Sequence, residues 1–284
     1  MNNEVTVFSK KRTCNIGGKL ICFDEPKIMG ILNITPDSFF DGGKYLQKKE
    51  ALKQVSEMLS QGAEIIDIGA YSSKPQATPV AVKEEINRLI PILKSIRQHF
   101  PETLLSVDTF RAAVAKVAIQ EGANIINDIS AGNLDKNMLP LIAETKVTYI
   151  AMHMKGSPQT MQQHTQYQHV VEEIINYFLD KIEQLKTIGI YDIIIDPGIG
   201  FAKTLEQNYQ IIAALEKFNI IQQPILIGIS RKSMIYKILN TNPEHSLNGT
   251  TVLNTVALIK GANIIRVHDV KEAAECIKIT KMIQ

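Results

Sequence analysis

Short apolar runs rich in Ile and Val, each closed by a polar residue, recur eight times along the chain: 28–33, 64–69 (around Asp67), 104–108, 124–128, 148–153, 192–196, 224–230 and 264–269. Seven of the intervals hold helix-like segments, at 48–61, 82–100, 111–121, 137–146, 167–188, 204–218 and 246–260, and a further one follows at 270–282. Runs that are apolar almost throughout are buried on both faces, which means parallel strands covered by helices. Gly62, Gly122, Gly189 and Gly261 each stand just behind a helix-like segment and two or three residues before a strand, the place of a helix C-cap. Eight such units in about 260 residues predict an α/β chain folded as a (β/α)8 TIM barrel. A doubly wound open sheet is the alternative, but residues 33–43 do not carry its GxGxxG turn. Ahead of the repeat, Val5, Val7, Cys14, Ile16, Leu20 and Cys22 alternate around Gly17-Gly18, which predicts an N-terminal β-hairpin over 4–24 covering one end of the barrel. No linker or composition shift divides the chain, so one domain is expected over 1–284, with 1–26 as hairpin and 27–284 as barrel.

Composition narrows the function classes. The formal charge of +2 offers no argument for nucleic acid. Cys14, Cys22 and Cys276 are odd in number and lack metal-ligand spacing, which fits packing roles in a reducing compartment. No apolar run is long enough to span a bilayer and residues 1–11 lack a signal-peptide core, so a cytoplasmic protein without membrane contact is expected.

In a barrel, the residues that close the strands meet on one face, where active sites sit. Those residues are Asn33, Asp67, Asp108, Asn127, Asp128, Met152, His153, Asp196, Ser230-Arg231-Lys232, Arg266 and His268. After Asn33 comes a Gly-bounded loop carrying Asp37, Phe39 and Phe40. Pro197 and Gly198 behind Asp196 forbid an immediate helix, which argues against a capping role for that carboxylate. Arg231 and Lys232 precede a helix-like stretch; two cations there oppose the helix dipole unless an anion binds beside them. Arg266 and His268, two residues apart, share one side of their strand. Two carboxylates, Asp108 and Asp196, with the amide of Asn127 suit a ring edge of alternating donors and acceptors. No His, Cys and carboxylate set has zinc spacing.

The wording of these strand ends is more specific than their chemistry. NITPDSFFDGG at 33–43, SVDTFR at 106–111, IINDISAG at 125–132, DPGIGFAK at 196–203, the SRKS run at 230–233 and RVH at 266–268 resemble, in this order, the signatures of dihydropteroate synthases. The loop after the second strand resembles the family's GGESTRPG with departures: Ala70-Tyr71 stands for Gly-Glu, Ser73 for Thr and Lys74 for Arg, which keeps a charge and loses the flat guanidinium fork. Ala202 stands where the family has Gly. The resemblance spans 27–284 and has a counterpart for the hairpin.

That resemblance implies joining 6-hydroxymethyl-7,8-dihydropterin pyrophosphate to p-aminobenzoate by SN1-like C–O cleavage, giving 7,8-dihydropteroate and pyrophosphate in folate biosynthesis. It implies that Asp108, Asn127, Asp196 and Lys232 hold the pterin, with Met152 and Gly228 lining its slot and Arg266 over its face. It places Asn33, Ser73, Arg266 and His268 on pyrophosphate, Asn33 also on magnesium (Mg2+), and Phe201, Ser233, Lys232, Pro75 and Ser73 around p-aminobenzoate. Asn33, Asp37, Lys232, Arg266 and His268 are the expected catalytic group, Asp37 and Ser73 belong to the two closing loops, and a homodimer is expected. Three rivals share parts of this pattern. A pterin-binding methyltransferase using methyltetrahydrofolate has no use for the pyrophosphate set. A Schiff-base aldolase with Lys232 activated by Arg231 leaves the first two loops unexplained, and a non-catalytic pterin binder leaves the whole set unused.

Overall fold

The computed structural model describes residues 13–34, 44–71 and 80–283. Asp37, Ser73, Pro75 and the first part of the expected hairpin lie outside the described residues. Strands β1 (Thr13–Ile16) and β2 (Lys19–Cys22) pair antiparallel, Ile16 opposite Lys19. Gly17 and Gly18 both have positive φ (60° and 83°), as a two-residue turn matched to strand twist requires.

The remaining strands are β3 (Lys27–Asn33), β4 (Ile65–Gly69), β5 (Leu104–Asp108), β6 (Ile125–Asp128), β7 (Thr148–Met152), β8 (Ile193–Asp196), β9 (Leu226–Ile227) and β10 (Ile264–Val267). All neighbours run parallel in the order β8-β7-β6-β5-β4-β3-β10-β9. A parallel bridge between Ile195 and Ile225 joins the two ends, so the sheet closes into the expected barrel. Helices α1 (Lys44–Ser60), α2 (Val82–His99), α3 (Ala112–Gln120), α4 (Met138–Thr145), α5 (Val170–Thr187), α6 (Leu205–Ala213), α7 (Ser233–Tyr236), α8 (Leu247–Ile259) and α9 (Val270–Thr280) lie between and after the strands. The four glycines behind helices have φ between 86° and 108°, the left-handed turn that ends each helix.

The seventh strand is the main departure. Residues 224–230 read as one strand, yet β9 is Leu226–Ile227 alone. The chain leaves the sheet after Ile227, and beyond it the Lys232 amide turns back onto the Ile229 carbonyl while Arg231 takes φ 56°. On the near side the Asn263 side chain, not a strand, receives the Ile225 amide (3.0 Å). The segment 204–218, read as one helix, is α6 followed by a 3-10 turn over Leu215–Ile221.

Strand alternation positions the site. Outward residues Ile28, Ile66, Leu105, Ile126, Ile193 and Ile265 pack among the helices. Inward residues Met29, Ile65, Ile125, Ile150, Ile194, Leu226 and Ile264 form a separate apolar layer with Cys14, Ile16 and Phe23 of the hairpin segment. The hairpin therefore plugs the N-terminal end of the barrel, as expected, and each fully buried Ile there contributes roughly 1.5–3 kcal/mol. Two polar links lock it: Thr148 Oγ1 donates to the Asn15 carbonyl (2.9 Å) and the Asn15 amide to Asp192 Oδ1 (3.0 Å). Two residues further along the same strands, the inward positions are Ile31, Asp67, Asn127, Met152, Asp196, Gly228 and Arg266. An apolar floor thus carries a polar layer at the C-terminal end.

Candidate active site

Arg266 is the hub of that layer. Its Nε donates to Asp67 Oδ2 (2.6 Å) and its Nη2 to Asp108 Oδ2 (2.9 Å), so one flat cation spans β4 and β5 from β10. Asn127 Nδ2 donates to the same Asp67 oxygen (3.1 Å). An amide facing a carboxylate must present its NH2, so Asn127 keeps its carbonyl oxygen for a ligand. Arg266 Nη1 makes no hydrogen bond among the described residues. Gly69, between Asn33 and Asp108, lacks the Cβ that would sit 3.6 Å from Asn33 Oδ1 and 3.7 Å from Asp108 Cβ. The two side chains therefore approach across it.

The loop after β8 supplies the opposite wall. Asp196 Oδ1 accepts the Gly198 amide (2.8 Å), so the carboxylate shapes its own turn and caps no helix, as Pro197 requires. Pro197 excludes a helix cap but not a two-residue turn. Gly198 has φ 73°, and a Cβ on it would collide with the His153 carbonyl. Lys203 is 4% exposed and clamps the loop from inside: its Nζ donates to the carbonyls of Gly198 and Phe201 (both 2.9 Å) and to His153 Nδ1 (3.2 Å). Burial lowers the Lys203 pKa to about 7 and that of His153 to about 2, so the imidazole is a neutral acceptor. Ala202 takes φ 50°, the left-handed region that glycine adopts without strain. Lys232 Nζ donates to the Ile199 carbonyl (2.5 Å) and lies 5.0 Å from the Phe201 ring centroid. A Cβ on Gly228 would stand 3.8 Å from that Nζ and 3.9 Å from Arg266 Cβ, so Gly228 sits between the two cations.

The structure thus brings Asn33, Asp108, Asn127, Asp196, Gly228, Lys232 and Arg266 to one end of the barrel. Met152 and Phe201 belong to an apolar cluster beside them with Ile129, Met154, Met161, Ala202 and Phe110. Ser233 opens α7 directly behind Lys232, and His268 follows β10, its Nδ1 paired with Ser230 Oγ (3.0 Å). Three strand-end residues serve the scaffold instead. Asp128 has its oxygens taken by the Ser130 amide and hydroxyl, the Gly132 amide and the Tyr149 hydroxyl. His153 turns toward Tyr177 and Phe178. Arg231 pairs with Asp269 through Nε (3.1 Å) and Nη2 (2.5 Å), so the anion inferred from two adjacent cations is needed for Lys232 only.

Asp67 and Lys203 carry more of the site than their sequence context suggested. Asp67 lay among the strand-end residues but without a role, because Ile68 and Gly69 carry the run past it. Lys203 follows the turn it clamps, and its partners are carbonyls that exist only once the glycines have bent the chain.

The electrostatics are tense. Burial raises the Asp108 pKa to about 7, with Arg266 opposing and Asp67, Glu85 and Asp128 adding. Burial also raises Asp196, against the pull of Lys232 and the Gly198 amide. Lys232 falls to about 8 through burial, partly offset by Asp196. Burial works against the Arg266 charge too, but Asp67 and Asp108 outweigh it and its pKa rises. Among the described residues no cluster of three or more His, Cys, Asp or Glu could hold a metal ion.

A (β/α)8 barrel with three carboxylates, an amide and two half-buried cations converging at the strand ends is a site for a polar heterocycle bearing an anion. The chain belongs to the pterin binding enzyme family, whose profile matches residues 29–268. The dihydropteroate synthase of Escherichia coli K12 is 41% identical over 266 residues, 93% of this chain and 94% of that protein. The one from Synechocystis is 42% identical over 255 residues, covering 89% and 88%. Among solved structures, Yersinia pestis dihydropteroate synthase with a sulfonamide drug complex superposes with TM-score 0.89 at 38% identity, covering 95% of this chain and 98% of that one. The Xanthomonas albilineans enzyme in complex with 7,8-dihydropteroate gives 0.85 at 31%, covering 96% and 98%.

Proposed function

We propose that this chain, as one domain, is a dihydropteroate synthase. It transfers the pterin methylene of 6-hydroxymethyl-7,8-dihydropterin pyrophosphate to the amine of p-aminobenzoate in folate biosynthesis. The observation that carries the reading is the convergence of the residues from six separate signatures on one barrel end. The relatives favour it over the methyltransferase alternative, and one of their structures holds a sulfonamide.

Asn127 Oδ1 and the second oxygen of Asp196 accept the donors of the pterin edge, and Lys232 donates to a ring acceptor. Met152 and Gly228 leave a flat slot, with Arg266 along one face. Arg266 Nη1 and His268 take pyrophosphate oxygens. The methylene C–O bond breaks with its electron pair leaving on pyrophosphate; the cation spreads into the pterin ring, the aryl amine attacks it and a proton is lost. No side chain acts as nucleophile; the residues stabilise the leaving pyrophosphate and the developing cation. Phe201 and Ser233, with Ser73 and Pro75 from the second signature, frame p-aminobenzoate, and Asp37 belongs with the first loop. Asn33 offers a neutral oxygen beside Asp108, which suits magnesium bound mainly through phosphate oxygens. When bound, that ion offsets charge on the leaving group.

A homodimer fits the exposed apolar residues Ile238, Leu239, Val252 and Ile259 on and beside α8; sedimentation velocity reads it directly. Among the described residues no helix is long and apolar enough to cross a membrane, in keeping with a cytoplasmic enzyme. The decisive test is pyrophosphate release from the pterin substrate with magnesium, with and without p-aminobenzoate. Release with formation of dihydropteroate is expected when both substrates are present; no release with both removes the proposal.

The charges predict a narrow pH profile. The pterin and its pyrophosphate require ionised Asp108 and protonated Lys232, so turnover rises through pH about 7 and falls above about 8. Stability of the unliganded chain runs in the opposite sense. Folded Asp108 holds a proton that the unfolded chain releases near 3.8, so stability falls as pH rises from about 4 to 7. Folded Lys232 releases a proton that the unfolded chain keeps to 10.5, so stability is regained from about 8 upward. Melting curves and kcat/KM against pH check both signs; a flat kcat/KM between 6 and 9 contradicts the assignment.

A further inference from the structure

We propose that Asp67 is the positioning residue of this site: it aims Asn127 and Arg266 at the substrate without touching the substrate itself. The inference rests on the pterin reading above. Three observations carry it. Asp67 is 0% exposed, on the inward face of β4 one layer above the apolar floor. A single oxygen, Oδ2, accepts from both Arg266 Nε (2.6 Å) and Asn127 Nδ2 (3.1 Å), so one atom fixes two ligand-facing side chains from two other strands. Its other oxygen, Oδ1, is buried and makes no hydrogen bond among the described residues, and neither does Ser106 Oγ, its neighbour in the β4–β5 register.

The plain alternative is an ion pair kept for stability. A buried pair adds little net stability, because desolvation consumes most of the attraction. A carboxylate placed for stability would also have both oxygens satisfied. Asp67 satisfies one, and uses it on the two groups whose direction matters most. Without it Asn127 could rotate and offer its NH2 to the ligand, and the guanidinium would be held by Asp108 alone. Presenting a donor where the pterin edge has donors reverses recognition, not merely weakens it.

A reciprocal swap tests this. Asp67→Asn leaves a neutral acceptor for Arg266 and no demand for an amide donor from position 127. Asn127→Asp sets two carboxylates against each other. Each single change is expected to weaken binding of 6-hydroxymethylpterin, read by calorimetry, on the order of tenfold to a hundredfold. The double variant carries both Asp67→Asn and Asn127→Asp, which sets an amide on β4 against a carboxylate on β6. It restores the charge count but not the shared acceptor, because the one position that accepts from Arg266 Nε would also have to donate to residue 127, so it should bind no better than the worse single variant. Asp67→Asn binding the pterin like the parent, or a double variant that regains parent affinity, overturns the role. A readout without ligand accompanies it: the Arg266 Nε–H proton is expected to exchange faster in Asp67→Asn than in the parent. Equal exchange rates count against the proposal even if the parent fails to bind pterin, a result that would instead remove the pterin reading.

Discussion

Arg266→Met lowers turnover by on the order of a hundredfold to a thousandfold, the loss typical of removing one preorganised donor from a developing anion. It also destabilises the fold. Arg266 neutralises Asp67 and Asp108 together, and removing one partner of a buried pair costs about 3–5 kcal/mol. Part of that loss is relieved, because Asp108 already sits near pH 7 and takes up a proton once the cation is gone. The melting temperature of the variant should therefore fall least in acid, the opposite of ordinary acid denaturation. Arg266→Lys separates the two roles. It keeps the charge, so stability is largely retained, but an ammonium cannot reach Asp67, Asp108 and a phosphate in one plane. Turnover should drop much further than the melting temperature. The check is differential scanning with and without pyrophosphate: if pyrophosphate protects Arg266→Lys as well as it protects the parent, Arg266 is not a ligand.

Much of this arrangement was legible in the sequence, for reasons that can be named. Asp108 and Asp196 end their strands, and Asn127 stands one residue from the end of its own, so a polar residue closing an apolar run already said which barrel end each would reach. The hairpin plug was legible because Cys14 and Ile16 alternate with polar neighbours ahead of a Gly-Gly turn. What stayed hidden depends on backbone direction. Arg231 and Lys232 are adjacent cations with equal claims on an anion, and only the left-handed φ at Arg231 sends one toward Asp269 and the other toward Phe201. The end of β9 was hidden for the same reason: Ile229 is as apolar as Ile227, and the turn that removes it from the sheet has no compositional mark. Asp128 and Asn127 are neighbours of similar character, yet strand alternation puts the amide inside and the carboxylate against Tyr149 outside. Asp67 was visible as a charge in a buried strand, but its importance lies in sharing one oxygen between β6 and β10, which no local pattern reports.

Asp196→Asn separates loop building from ligand recognition more cleanly than any other single change at the site. One oxygen of Asp196 accepts the Gly198 amide and helps bend the loop that Lys203 clamps. Asparagine keeps that acceptor, so the turn, the Phe201 position and the Ile199 carbonyl under Lys232 should persist. The other oxygen makes no hydrogen bond among the described residues, and it is the one offered to the N–H and amino group of the pterin. Asparagine places an NH2 there, so a donor meets donors and the loss is about 1–3 kcal/mol or more, up to about a hundredfold in Kd. A second effect follows from the charge. Asp196 is the main group holding the Lys232 pKa up against burial, so without it Lys232 loses its proton at lower pH. The deficit of the variant should therefore widen between pH 6.5 and 8.5, whereas loss of a hydrogen bond alone would give a constant ratio. Asp196→Ala removes the turn acceptor as well and should lower the melting temperature, which the Asn variant should not. Pterin titrations at the two pH values decide it: unchanged affinity in a folded Asp196→Asn protein would sink the assignment of this carboxylate to the pterin edge.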